Sequence, residues 1–190
     1  MAASFESIAP DLAEWLRAQP VFFVATAPTG SDGHVNLSPK GYDTFRVLDP
    51  NRVAYVDLTG SGVETIAHLR DNGRVTLMFC AFSGNPDIVR LYGNGTVHEV
   101  GTPAFEKLAP QFEVLPGTRA IVDVAVSRVS SSCGYAVPLM DYVSDRDRLL
   151  DWERAKGEPA LVEYRANKNA VSIDGLPGLG LEQPPERRSV

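Results

Sequence analysis

Runs of β-branched and aromatic residues, several of them alternating with polar positions, follow one another along much of the chain. This pattern is typical of β-strands that bury one face or both. Short segments rich in Gly, Pro, Asn and Asp separate the runs and are of a length suited to hairpin turns. The pattern predicts strands at residues 21–27, 34–40, 45–49, 52–58, 74–82, 88–100 and 119–132.

Helical spacing of apolar residues interrupts this pattern in a few places. Leu12 and Leu16 recur at helical spacing between two prolines, which predicts a short entry helix over one end of the sheet. A second stripe ends at Asn72-Gly73, a good helix terminator, so it predicts a helix of about three turns. The predicted helices span 11–18, 62–71, 102–112 and 141–157, with more helix and a short strand expected at 158–175.

Strands in hairpin order with one inserted helix predict a mainly β (α+β) fold, an antiparallel barrel with inserted and peripheral helices. Parallel βαβ winding fits less well, because residues 20–60 lack a regular alternation of strands and helices. We expect a single domain over 1–175 that includes a C-terminal helical extension at about 139–170. The Pro- and Gly-rich segment 176–190 is predicted to be an extended or flexible tail.

Charge narrows the classes of partner. The 190 residues carry a formal net charge of -6, which disfavours binding to nucleic acid and to anionic membranes. No apolar run is long enough to span a membrane, and the N-terminus has acidic residues where a signal peptide needs basic ones, so we expect a cytoplasmic protein. Cys80 and Cys133 lack metal-ligand spacing and are predicted to be free thiols.

The Thr-Gly-Ser-Gly turn at 59–62, between a predicted strand and a predicted helix, is the first candidate for chemistry. Ser61 could cap the helix, and Gly60 and Gly62 would let backbone N–H groups approach an anion such as phosphate. The same residues also suit a plain strand-to-helix turn, with Glu64 completing a capping box with Ser61. The turn by itself leaves both interpretations open.

A set of motifs surrounds this turn: "VNLSPKG", "YVDLTGSGVETIAHL", "NGRVTLMF" and "IVRLYGNGTV". In this order they resemble the FMN-binding split barrel of the pyridoxamine 5'-phosphate oxidase-like superfamily, over roughly residues 20–130. The resemblance implies a homodimer with FMN at its interface and a small-molecule substrate. The resemblance places Asn36, Ser38 and Lys40 at the flavin ring or ribityl chain, and Asp57 at the end of a strand. It places Ser61, Gly62 and Thr65 at the phosphate, and Arg90 in the same cofactor pocket.

The chain departs from the oxidases themselves at two places. Their Ser-Arg-Lys triplet for the phosphate is replaced here by Ser61-Gly62-Val63. Their C-terminal Arg-Leu-Pro signature is missing, so pyridoxamine phosphate is not the expected substrate. A basic partner for the phosphate must come from elsewhere, and the candidates are Lys40, Arg46, Arg74 and Arg90.

The resemblance therefore implies an FMN-dependent oxidoreductase acting on an unidentified small molecule, with no residue assigned as catalytic. The alternatives are a reductase that uses the deazaflavin F420, and a non-catalytic module that binds flavin or haem. No metal site is predicted, because His34, His68 and His98 lack metal-ligand spacing; His68 is expected on the helix surface. Tyr135, Met140 and Tyr142 either pack the junction of barrel and C-terminal helix or form a wall over the flavin.

Overall fold

The computed structural model describes residues 3–113 and 115–180. Within these ranges, eight strands form one antiparallel sheet. The strands are β1 (Ala3–Phe5), β2 (Phe22–Thr26), β3 (Asn36–Lys40), β4 (Phe45–Asp49), β5 (Arg52–Leu58), β6 (Arg74–Cys80), β7 (Ile88–Glu99) and β8 (Thr118–Ser132). Their order is β3-β2-β6-β7-β8-β5-β4, and β1 pairs with β8 outside this path. The long strand β8 therefore joins the two halves of the sheet.

The core shows how this sheet curls into a split barrel. The rings of Phe22, Phe45, Tyr55 and Phe79 cluster with centroids 4.9–5.6 Å apart. Phe22 lies on β2, next to one edge of the sheet, whereas Phe45 lies on β4, at the other edge. Contact between them means that the sheet closes round one core, as the sequence predicted. Next to a bulge of β8 in its pairing with β7, a Cβ on Gly93 would collide with the carbonyl oxygen of Ala125, so only glycine fits there.

The helices are α1 (Pro10–Arg17), α2 (Glu64–Asn72), α3 (Pro103–Leu108), which a 3-10 turn at Ala109–Gln111 follows, and α4 (Arg148–Lys168). The predicted helix at 141–157 is wrong at its start, whereas its predicted end at Gly157 and the further helix expected after it agree with the structure. Residues 141–147 are exposed, so they have no apolar contact to stabilise a helix. Gly157 has a φ of 71° and breaks the helix for one residue, after which a second helical segment continues to Lys168. None of these described helices is long and apolar enough to cross a membrane.

The chain turns back after α4 and returns to the start of α2. The N–H of Leu179 donates to the carbonyl of Asn169, and the buried side chain of Leu179 packs with Val63 and Ile66. The predicted tail therefore begins with residues 176–180 lying against the body of the barrel. The rest of it, 181–190, falls outside the described residues.

Candidate functional site

A cavity of about 310 Å³ opens where β3, the end of β5 and the start of α2 meet; we call it the α2 cavity. Five residues of the predicted site line it: Asn36, Ser38, Lys40, Gly62 and Thr65. Apolar wall comes from the partly or fully buried side chains of Val56, Leu58 and Leu149.

Two local features of the chain bring the predicted residues together. Alternate residues of a strand point to the same face, so Asn36, Ser38 and Lys40 all reach the cavity from β3. On the other side α2 begins at Glu64, and the N–H groups of a first helical turn have no partner within the helix. The cavity thus combines polar side chains of a strand with the backbone donors and positive dipole end of a helix.

The predicted capping at this helix start is wrong. The residue that precedes α2 is Val63, no side chain caps the helix, and Ser61 is exposed on a neighbouring surface formed with Trp152 and Tyr164. The helix starts too late for Ser61 to reach its first turn. Glu64 instead accepts a hydrogen bond from the N–H of Ile173 at 3.3 Å, and its Oε2 lies where a Cβ on Gly62 would fall. A carboxylate therefore occupies the mouth of the helix.

Asp57 forms ion pairs with the two cations that line the α2 cavity, Lys40 and Arg119. It is fully buried on β5, its Oδ1 lies 2.7 Å from Lys40 Nζ, and its Oδ2 lies 2.7 Å from Arg119 Nε. Burial alone would raise the pKa of Asp57, but the two cations hold that pKa at about 2. Asp57 is therefore ionised, and it fixes both cations at the cavity.

Arg119 is a site residue that the sequence reasoning missed. It lines the α2 cavity from β8 with only 6% of its surface exposed. One feature of the sequence could have indicated this residue: a charged side chain stands at the start of the apolar run "RAIVDV", and a charge at a buried strand position needs an ionic partner. Neither the spacing nor the resemblance pointed to Asp57, 62 residues away, as that partner.

Asn169 is a second missed residue, and it ties the end of α4 to the site. Its side chain is fully buried; Oδ1 accepts from Arg119 Nη1 at 2.9 Å, and Nδ2 donates to the carbonyl of Gly60 at 3.0 Å. One amide thus holds both a cavity cation and the turn before α2. Loss of either bond would leave a buried polar group without a partner.

A chain of polar side chains leads from the α2 cavity into the core. Asn36 Nδ2 donates to Thr65 Oγ1 at 2.9 Å and to Thr26 Oγ1 at 3.4 Å, and Thr26 Oγ1 lies 3.0 Å from His68 Nδ1. The expected surface position of His68 is wrong, because β2 packs on that face of α2 and His68 is fully buried. Burial lowers the pKa of His68, and its Nε2 has no partner in the described part of the chain. Because Thr65 accepts from Asn36, its own hydroxyl proton is available to a ligand.

Glu153 is an unusual buried acid close to these groups. It lies on α4 with 1% of its surface exposed, and neither carboxylate oxygen has a partner among the described residues. Burial raises the pKa of Glu153 to about 7, although Arg119 and Arg165 lower it in part. Gly117 has a φ of 70°, and a Cβ there would collide with the Glu153 carboxyl group. Glu153 therefore changes its charge near neutral pH beside a cation of the site.

The other basic candidates lie away from the α2 cavity. Arg46 pairs with Asp43 at 2.6 Å, and Arg74 donates to Asn72 at 3.2 Å. Arg90 lies on β7 and donates to Ser132 at 3.2 Å, so within one chain it does not join the other predicted site residues. The cations that do line the cavity are Lys40 and Arg119.

A second and larger cavity, of about 1090 Å³, adjoins the first; we call it the aromatic cavity. Met140 and Tyr142 line it, with 51% and 59% of their surfaces exposed. Of the two interpretations left open by the sequence, packing at the junction of barrel and helix is therefore wrong for both residues. It is also wrong for Tyr135, which is 81% exposed. Tyr42 lines both cavities and has a φ of 57°, a backbone conformation that non-glycine residues seldom adopt.

Histidines do not contribute to either cavity. His34 is bound to Asp174 at 2.7 Å, His98 lies 3.5 Å from Asp123, and His68 is buried in the core. Across residues 3–113 and 115–180, no group of three or more His, Cys, Asp or Glu side chains is placed to hold a metal ion.

Comparison with known proteins agrees with the fold and identifies the family. A family model described as pyridoxamine 5'-phosphate oxidase matches residues 8–133. The pyridoxamine 5'-phosphate oxidase family protein ustO of Aspergillus flavus is 42% identical over 198 residues, which cover 94% of this chain and 78% of that protein.

Solved structures show the same fold. A histidine-to-alanine variant of HupZ from Group A Streptococcus superposes with a TM-score of 0.51 at 21% identity, covering 66% of this chain and 99% of that one. A candidate pyridoxamine 5'-phosphate oxidase of Lactobacillus delbrueckii gives 0.50 at 20% identity, covering 66% and 94%. With residues 8–133 matched by the family model and a relative 42% identical over 94% of this chain, this chain belongs to the pyridoxamine 5'-phosphate oxidase family.

Proposed function

We propose that this protein is a flavin-dependent oxidoreductase that binds FMN in the α2 cavity and acts on a small molecule. One observation carries the proposal: five residues that the resemblance assigned to the cofactor, from two distant segments, line one cavity at the mouth of a helix. A bound flavin supplies hydride or electron transfer, so the protein has to bind, orient and electrostatically tune it.

The donors of the cavity suit a phosphate-bearing ligand. The first N–H groups of α2, the hydroxyl of Thr65 and the ammonium of Lys40 all face it. Pairing with Asp57 uses one of the three donors of the Lys40 ammonium, so the others are available to the ligand. Val56, Leu58 and Leu149 offer apolar surface to a ring system.

The negative charge of Glu64 disfavours a phosphate at the N-terminus of α2. With Lys40 and Arg119 on one side and Asp57 and Glu64 on the other, the formal charges at the cavity cancel. The hydrogen bond from Ile173 is long and Glu64 is partly exposed, so its flexible side chain can turn away. We therefore expect a phosphate to bind by displacing the Glu64 carboxylate, with lower affinity than at a mouth without an acid.

We also propose that the protein is a homodimer. Leu37, Ala25, Thr76 and Tyr92 pair in one row across β3, β2, β6 and β7, on the outer face of the sheet. Leu37 is 61% exposed, and Arg90 lies on the same face in the neighbouring row. A second copy on this face would cover apolar surface and bury Arg90 between the chains, where the resemblance expects it. Light scattering tests this, since the chain mass is 20.6 kDa and a dimer has twice that mass.

The proposed function is tested first by the absorbance spectrum of the purified protein, before and after addition of FMN or F420, with the released chromophore identified by mass. Turnover with a nicotinamide donor then separates an enzyme from a binding module. We expect Lys40→Met to weaken FMN binding, whereas Arg74→Met, which removes a cation outside the cavity, should not. A protein that binds neither cofactor, or equal effects of the two variants, would contradict the proposal.

A further inference from the structure

The chain forms a small antiparallel hairpin directly after α4, at residues 169–179; we call it the C-terminal hairpin. Val171 pairs with Pro177 across it. The side chains of Asn169 and Leu179, both buried, fix the base of this hairpin to the barrel. The base therefore cannot move without exposing apolar surface and a buried amide.

The tip of the C-terminal hairpin (residues 172–175) is attached in a different way. Asp174 Oδ2 accepts from the N–H of His34 at 2.8 Å, and Asp174 Oδ1 lies 2.7 Å from His34 Nδ1. The N–H of Ile173 donates to Glu64 Oε1 at 3.3 Å. Among the described residues, these are the hydrogen bonds that join the tip to the rest of the protein, and Ile173 itself is 70% exposed. Polar contacts, rather than burial of Ile173, therefore hold the tip.

Two hydrogen bonds from His34 hold Asp174. These bonds lower the pKa of Asp174, so its carboxylate is ionised at neutral pH. Hydrogen bonds to an ionised acceptor are stronger than those between neutral groups. The tip keeps its shape because Gly175, with a φ of 73°, closes a turn in which its N–H donates to the carbonyl of Ser172 at 2.9 Å. Asp174 can therefore set the position of its neighbour Ile173.

The position of Ile173 matters because its N–H binds the Glu64 carboxylate. Glu64 lines the α2 cavity, and its carboxylate lies at the mouth of the helix, beside Gly62. The hydrogen bond from Ile173 stabilises the carboxylate there, where it repels an incoming anion. The residues of these contacts belong to α2, to the loop before β3 and to the hairpin, and not to the rows of the sheet that we assign to the second copy.

We propose that Asp174 is a positioning residue for the α2 cavity: by binding His34 it holds the hairpin tip against α2, and the tip holds the Glu64 carboxylate in the mouth of the helix. The C-terminal hairpin is thus an autoinhibitory element that weakens the binding of anions at this cavity. Release of the tip frees Glu64, and the phosphate of a ligand takes its place. That this ligand is FMN rests on the proposed function, whereas the coupling between Asp174 and Glu64 does not.

Hydrogen exchange of the Ile173 amide, measured by NMR on the flavin-free protein, tests this coupling directly. We expect Asp174→Ala to speed the exchange about threefold or more, because the amide loses its fixed acceptor. Asp174→Asn keeps an acceptor oxygen for His34 and should stay close to the wild type. Asp32→Ala is the matched control, because it removes an exposed acid from the loop just before His34. An unchanged rate in Asp174→Ala, or an equal change in Asp32→Ala, would overturn the inference.

Fluorescence titrations with FMN and with riboflavin, which lacks the phosphate, test the effect on the ligand. Asp174→Ala should tighten FMN binding about threefold and leave riboflavin binding unchanged, because Glu64 competes with the phosphate alone. The same substitution in a Glu64→Gln background should have no further effect. If Asp174→Asn tightens FMN binding as much as Asp174→Ala does, the effect comes only from the lost charge of Asp174, and the inference is overturned.

The outcomes separate this inference from the proposed function. FMN binding of equal affinity in the wild type and in Asp174→Ala would overturn the inference and leave the proposed function standing. A protein that binds neither flavin would contradict the proposed function, and the exchange rate of the Ile173 amide would then decide on the coupling by itself.

Discussion

The substitution Asp57→Asn tests the ionic network beneath the α2 cavity. It keeps the shape of the side chain but leaves Lys40 and Arg119 facing a neutral amide in a buried site. Removing one partner of a buried pair costs about 3–5 kcal/mol. Because Lys40 is 20% exposed and can be hydrated through the cavity, we expect a loss near the lower limit.

The pKa of Asp57 gives an independent magnitude. A fall from 3.8 to about 2 corresponds, at about 1.4 kcal/mol per pKa unit, to about 2.5 kcal/mol of stability from the charged form. A lowered pKa means that this stability is present above the pKa of the unfolded chain and is lost as the pH falls through the folded value. The difference between wild type and Asp57→Asn should therefore be constant near neutrality and shrink between about pH 4 and pH 2.

Urea unfolding at pH 7 measures the effect, with Asp151→Asn as a matched control. Asp151 pairs with Arg154 at 3.1 Å, but both side chains are more than half exposed, so its loss should cost less than about 1 kcal/mol. If Asp57→Asn also costs less than about 1 kcal/mol, the buried pair does not stabilise the fold as argued. A difference that persists unchanged down to pH 2 would refute the pKa assignment.

Three further predictions concern the acids around the site and the helix mouth. Glu153 has a raised pKa, so the wild type should lose up to about 3 kcal/mol of stability as the pH rises from about 4.5 to about 7. In urea unfolding, Glu153→Gln should be more stable than the wild type at pH 8 but not at pH 5. An equal difference in stability at the two pH values would refute this prediction. Gly62→Asp should abolish FMN retention and leave the circular dichroism spectrum unchanged. Gly62→Asn, equal in size but uncharged, should retain part of the FMN. Equal FMN retention by the two variants would contradict the assignment of the phosphate to the helix mouth. Glu64→Gln should tighten FMN binding about fivefold in a fluorescence titration, because it removes the competing carboxylate, and weaker binding would contradict that role.

The sequence predicted the barrel well because its strands are bounded by turn residues and its buried faces are apolar. The strand β5 was predicted with the bounds that the structure has, and β3 brings Asn36, Ser38 and Lys40 to one face by simple alternation. The helix α2 was predicted to within two residues, but its first residue decides whether Ser61 can cap it, and local patterns do not resolve that.

The missed residues depend on contacts between distant parts of the chain. Arg119 meets Asp57 across 62 positions, and Asn169 meets Gly60 across 109. Periodicity shows which face of an element is apolar, but not which buried polar groups will find each other. Tyr42 was missed for a different reason, because a short link between two strands gave no sign of its positive φ or of the two cavities that it separates.

The C-terminal third of the chain has a larger part in the site than its weak sequence pattern suggested. The family model ends at residue 133, yet Leu149 lines the α2 cavity, Asn169 holds Arg119, and Met140 and Tyr142 line the aromatic cavity. The barrel supplies the strand, the helix mouth and the buried acid that would hold a cofactor. The segment after residue 133 supplies the outer walls that a second molecule would meet. Differences in this segment should therefore change which molecule would bind beside the cofactor, without changing the barrel that is proposed to hold the cofactor.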